Sequence, residues 1–106
     1  MELLTTKLKE RFAEIGCQAK KGNNAIVIAH YFIGGCEWWF TEYYPDENIF
    51  FGFVNLNDSQ MAELGYTSLE EMKSFNIRGL EIERDLHWKF IKGEGEDLIE
   101  KRIGIK

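Results

Sequence analysis

"EWWFTEYYPDENIFFGFV", from Glu37 to Val54, gathers two Trp, two Tyr and four Phe around a single Pro-containing turn. Rings at this density serve as a platform for nucleic-acid bases, as the walls of a ligand pocket, or as the core of a small sheet. The punctuation of the stretch decides its structure. Pro45 suits the second position of a type I turn, and Asp46 and Asn48 are favoured turn residues. The flanking runs "EWWFTEYY" and "IFFGFVNL" are rich in β-forming residues, so a four-residue connection between them predicts a β-hairpin. Strict alternation puts Trp38, Phe40, Glu42 and Tyr44 on one face, with Trp39, Thr41 and Tyr43 on the other. Gly52 interrupts the return strand and predicts a bulge or a close approach by another backbone.

Outward from the hairpin, "AIVIAHYFI" (residues 25–33) is apolar on both faces and predicts a strand buried on both sides or nearly so, broken by Gly34 and Gly35. Upstream, Leu4, Leu8, Phe12 and Ile15 recur at helical spacing, and Gly16 is a natural stop. Downstream, "NLNDSQMAELGY" reads as a connection. "TSLEEMKSF" reads as a short helix in which Ser68 and Glu71 have capping-box spacing. "GLEIERDLHW" alternates as a strand, with Glu81, Glu83, Asp85 and His87 on one side. In the tail, Glu96 to Arg102 suggests a short helix weakened by neighbouring glycines. The elements compose an α+β domain. A small, mainly antiparallel sheet of about four strands carries the N-terminal helix on one face, with a second short helix.

The 106 residues fit one domain spanning 1–106, and 44% hydrophobic with 29% charged residues is an ordinary globular balance. No apolar run is long enough to cross a membrane as a helix, and "MELLTTKLKERF" lacks a signal-peptide pattern, so a cytoplasmic protein is expected. Cys17 and Cys36 form no CxxC pair and complete no zinc motif; two free, buried thiols are expected. The net charge is −5, and its distribution matters more than its size. Between Gly22 and Met72 there is no Lys or Arg, whereas eight Asp and Glu fall there, Glu37 and Glu42 among them. Single-strand binders set their rings beside cations that hold phosphate. Direct nucleic-acid binding is therefore not expected.

Several phrases resemble a family of small bacterial proteins known only as a domain of unknown function. They are "ELLTTKLKERF", "WWFTEYYPDENIFFGFV", "ELGYTSLEEM" and "GLEIERDLHWK", which together cover most of residues 2 to 89. The resemblance implies a shared fold and a genetic setting on plasmids and other mobile elements, near conjugation or antirestriction genes. Many relatives carry prolines after Phe90, and this chain has none there. The resemblance implies no established activity and no site residues.

Chemistry has few places to reside. On a strand, Glu83, Asp85 and His87 would line up about 6.5–7 Å apart, with Glu42 from a neighbouring strand. No cofactor is expected, although such oxygen and imidazole groups would suit a divalent metal, from which a metal-dependent hydrolase would follow. The alternative is a solvated strand face with Arg84 paired to an acid. Glu42 stands alone among rings. It is either a general acid/base, an anchor for a cationic ligand, or a residue tied to Arg or a backbone amide at the sheet edge. His30 suits a hydrogen-bonded structural role near the core. No P-loop, G-x-S-x-G elbow or HExxH is present.

The leading expectation is an accessory protein that binds an unidentified protein partner through Trp38, Trp39, Tyr43 and Tyr44, since such rings anchor interfaces. A metal-dependent enzyme using Glu42, Glu83, Asp85 and His87, and a weakly acidic DNA mimic, are the other two readings.

Overall fold

A computed structural model of the protein describes residues 2–88; the helix expected from Glu96 to Arg102 lies outside them. The architecture is α+β. The N-terminal helix α1 (Thr6–Ile15) precedes a short 3-10 segment (Ala19–Asn24) and strands β1 (Ala29–Ile33), β2 (Cys36–Tyr44), β3 (Ile49–Leu56) and β4 (Glu63–Ser68). Helix α2 (Leu69–Ser74), a small hairpin of β5 (Asn76–Ile77) and β6 (Leu80–Glu81), and β7 (Glu83–Arg84) complete the described chain. Among the described residues the main sheet has five strands rather than about four, in the order β4-β3-β2-β1-β7, all antiparallel. The addition to the expected set is β4, while β7 is what pairs of the strand expected over "GLEIERDLHW".

Local chemistry explains the helix ends. The Thr5 hydroxyl accepts from the Leu8 amide at 3.1 Å, covering an orphan donor at the start of α1, and Gly16 closes its far end by donating its N–H to the Phe12 carbonyl. Ser68 Oγ accepts from the Glu71 amide at 3.0 Å, as its spacing predicts. Leu8 and Phe12 of α1, with Leu69 and Met72 of α2, cover the inner face of the sheet over Tyr31, Trp38, Phe40 and Phe50. Phe40 and Phe50 stack at 4.6 Å and 11°. A buried side chain of this size contributes about 1.5–3 kcal/mol, so this ring cluster supplies much of the driving force. Tyr31 lies at its centre and donates its hydroxyl to the Leu3 carbonyl, which ties the N-terminal segment to β1. Burial pushes the Tyr31 phenol well above its ordinary range, despite the opposing charge of Arg84.

A second, smaller cluster lies on the outer face, where Ala25, Val27 and Ala62 pack with Trp39 and Phe53. Trp38 and Trp39, expected to be contact residues, are 2% and 3% exposed: each is core, one on either side of the sheet. Cys36 is buried and free as expected; Cys17 is free but exposed, because it follows the end of α1 at the surface.

The expected long strand over "GLEIERDLHW" begins at a turn, is interrupted at Ile82 between β6 and β7, and stops at Asp85. Arg78 and Gly79 both take positive φ (53° and 84°), forming the tight turn between β5 and β6. The chain then pairs with β1 only through Glu83 and Arg84 before Asp85 ends the strand. Its Oδ1 accepts from the His87 amide at 2.9 Å, a side-chain turn typical of Asp.

Candidate functional site

Strand β2 does not alternate strictly. Its register against β3 runs Trp39↔Phe53 and Phe40↔Gly52, then resumes at Glu42↔Phe51, leaving Thr41 as an extra, bulged residue. One inserted residue inverts the parity of all that follows. Tyr43 therefore turns inward, where it packs on Phe12 and Phe50. Glu42 and Tyr44 turn outward with Trp39, not inward with Trp38 and Phe40 as strict alternation would place them. Gly52 permits this. A Cβ there would stand 2.0 Å from the Trp39 carbonyl oxygen, so both the expected bulge and the expected close approach occur, one on each strand. Gln18, buried before the 3-10 segment, secures the bulge. Its Nε2 donates to the carbonyls of Thr41 (2.6 Å) and Ile26 (3.0 Å), and its Oε1 accepts from the Ile26 amide at 2.8 Å.

The inversion delivers a carboxylate to the outer face. Glu42, Phe51 and Tyr66 are successive cross-strand partners on β2, β3 and β4, and so share one row. Tyr66 lies 4.9 Å from Phe51 and 6.5 Å from Tyr44, centroid to centroid. These residues, with Gln18 and Leu64, line a cavity of about 220 Å³. Glu42 is only 3% exposed. Its Oε1 accepts from the Tyr44 hydroxyl and, at 3.9 Å, faces the Cys17 thiol. The hydrogen bond to Glu42, followed by burial and the adjacent negative charge, holds the Tyr44 phenol well above its ordinary range. No hydrogen-bond donor of the described residues reaches Oε2 of Glu42, and no Lys or Arg among them forms an ion pair with it. Lys21 Nζ bonds to Gln18 Oε1 at 3.3 Å, and Lys9 lines an adjoining cavity with Glu42, Cys17 and Tyr44.

A second polar cluster lies further along the outer face. His30 stacks on Trp39 at 5.2 Å and 11°. Its Nδ1 is 2.8 Å from Asp85 and its Nε2 is 2.7 Å from Glu37. Carboxylates accept and do not donate, so the clasp is fully satisfied when the ring carries both protons. Burial works to raise the Asp85 carboxyl, but the bonds from His30 and the His87 amide outweigh it and lower the value. The clasp joins β1, β2 and the turn after β7. With both nitrogens engaged, His30 offers none to a substrate. This is the hydrogen-bonded structural histidine its sequence suggests.

The chain matches the model of a family described as Protein of unknown function (DUF2958) over residues 2–92. The chain belongs to this family. No curated protein and no solved structure matches it. In this family member, the residues proposed from sequence are dispersed. Glu83 and His87 are exposed, whereas Asp85 is engaged by His30. Among the described residues no three His, Cys, Asp or Glu side chains are grouped to hold a metal ion. Glu42 stands apart from them on β2, within the ring-lined cavity; Tyr43 and Tyr44 are half-buried on opposite faces. Residues that sequence reasoning did not single out are Gln18, Leu64 and Tyr66. Tyr66 and Leu64 alternate within "ELGYTS", the one available signal of an exposed strand. No helix among the described residues is long and apolar enough to cross a membrane.

Proposed function

We propose that this chain is a protein-interaction module, an accessory protein of a mobile element, and that it acts through the outer face of β3 and β4. The observation that carries this reading is the exposure of Tyr66 (66%) and Leu64 (43%) side by side on the last strand of the sheet. A terminal strand offers unpaired backbone groups, and an extended segment of another protein can add to it. Tyr is favoured in such contacts for its large, amphipathic area. Charge selects the occupant. Residues 23–72 contain no Lys or Arg, and Glu63, Glu70, Glu71 and Asp58 are exposed beside or near β4, so a basic segment is complementary and phosphate is not. The mobile-element setting comes from the family resemblance of the sequence.

A photo-crosslinking residue at position 64, introduced in host cells, tests the reading. A specific protein adduct at a basic segment is expected, and it should disappear when Tyr66→Ser is added and weaken as salt rises. An absence of adducts, or an adduct indifferent to Tyr66, would overturn it.

A further inference from the structure

We infer that the outer-face cavity is a receptor for an ammonium group, the head of a lysine side chain presented by the partner. This rests on the interaction surface just described, because the cavity opens beside Leu64 and Tyr66 on the same strand. Glu42 is the key residue of the cavity. A carboxylate at 3% exposure with one oxygen lacking a donor is costly unless a partner arrives. Oε1 is occupied by the Tyr44 hydroxyl and faced by Cys17, so Oε2 remains as the acceptor.

The walls favour a cation. Tyr44, Phe51 and Tyr66 line the same space, and ring faces attract positive charge. Leu64 and the Phe51 ring offer apolar surface for a methylene stem, while the head reaches the carboxylate. The choice between lysine and arginine follows from the single free oxygen. A guanidinium is best matched by both oxygens of a carboxylate through parallel hydrogen bonds, and here one oxygen is taken. An ammonium is a compact point charge that needs only one strong acceptor. The cavity, at about 220 Å³, suits one such side chain rather than a larger cofactor. Gln18 contributes indirectly: by holding the Thr41 bulge it keeps Glu42 turned toward the rings, which makes it a positioning residue.

The test uses the full chain and free probes. Nα-acetyl-lysine methylamide, its arginine analogue and its norleucine analogue are titrated while the ring resonances of Tyr44 and Tyr66 are followed by NMR. The lysine probe should bind at least about tenfold more tightly than norleucine, and several-fold more tightly than arginine, as expected for a charge-assisted bond. Glu42→Gln should remove the lysine preference. If that variant does not fold, Tyr66→Ala, at an exposed position, should weaken lysine binding several-fold in a folded chain. Equal binding of lysine and norleucine, or an unchanged preference in the variants, would overturn the inference. The probes need no partner, so the two readings fail separately. A partner adduct without lysine binding sinks the cavity alone; lysine binding without any adduct sinks the interaction surface alone.

Discussion

At Gly52 any side chain meets backbone rather than a flexible neighbour: a Cβ would lie 2.0 Å from the Trp39 carbonyl oxygen and 2.7 Å from the Phe40 Cα. Backbone can yield only by moving a strand, so Gly52→Ala is expected to destabilise the fold by about 3 kcal/mol, the upper end for overpacking. Urea denaturation at constant m-value measures it; an unchanged midpoint would refute the close approach. The same residue shows how far single positions were legible. Gly52 in a ring-rich strand announced an irregularity, and Glu42 among rings announced an unusual carboxylate. The location of the extra residue was hidden, since Thr41 is an ordinary strand residue and the bulge is set by Gln18, 23 positions away. Without it, alternation placed Glu42 and Tyr44 on the inner face.

The elements with strong local signals formed close to where their sequences put them, although α1 starts at Thr6 and leaves Leu4 ahead of its Thr5 cap. The aromatic hairpin, α1 and α2 each carry a turn, cap or stop that acts over three or four residues. Their caps make a prediction: Thr5→Ala and Ser68→Ala should each cost about 1 kcal/mol, read from thermal melts. Strand β4 was hidden because the alternation in "ELGYTS" is limited to Leu64 and Tyr66 about a glycine; it forms because β3 offers it a full ladder from Ile49↔Ser68 to Val54↔Glu63. The opposite happened at "RDLHW", where alternation was present but Asp85 closes a turn and reaches His30. That contact has a pH signature. The folded-state value of Asp85 is depressed from its ordinary 3.8, so its stabilisation is fully present above that value and is lost as pH falls through the lower one. Asp85→Asn should therefore be less stable than the parent near neutral pH, and the gap should narrow on acidification below about pH 4. Parallel stability curves for the two chains would rule out the clasp as an acid-sensitive fastening.

At the scale of the whole molecule, one sheet separates two environments. The inner face is closed by two helices over a continuous ring core. Among the described residues the outer face is only partly covered, by the Trp39–Phe53 cluster and the His30 clasp, and Tyr44, Phe51, Tyr66 and Glu42 line a cavity there. The charge pattern was legible from the start, because a cation-free stretch of residues remains cation-free however it folds. Which rings remained uncovered was not, because a 14% aromatic content supplies more rings than one face can use, and parity alone assigns them. The direction of the two adjacent tyrosines after the bulge therefore decides which rings face outward. A nuclear Overhauser spectrum with assigned aromatic rings measures this directly. Cross-peaks from Tyr44 to Tyr66 and from Tyr43 to Phe12 are predicted, with ring centroids 6.5 Å and 6.0 Å apart. Cross-peaks from Tyr44 to Phe12 and from Tyr43 to Tyr66 would contradict the bulge, the outward carboxylate and the cavity together.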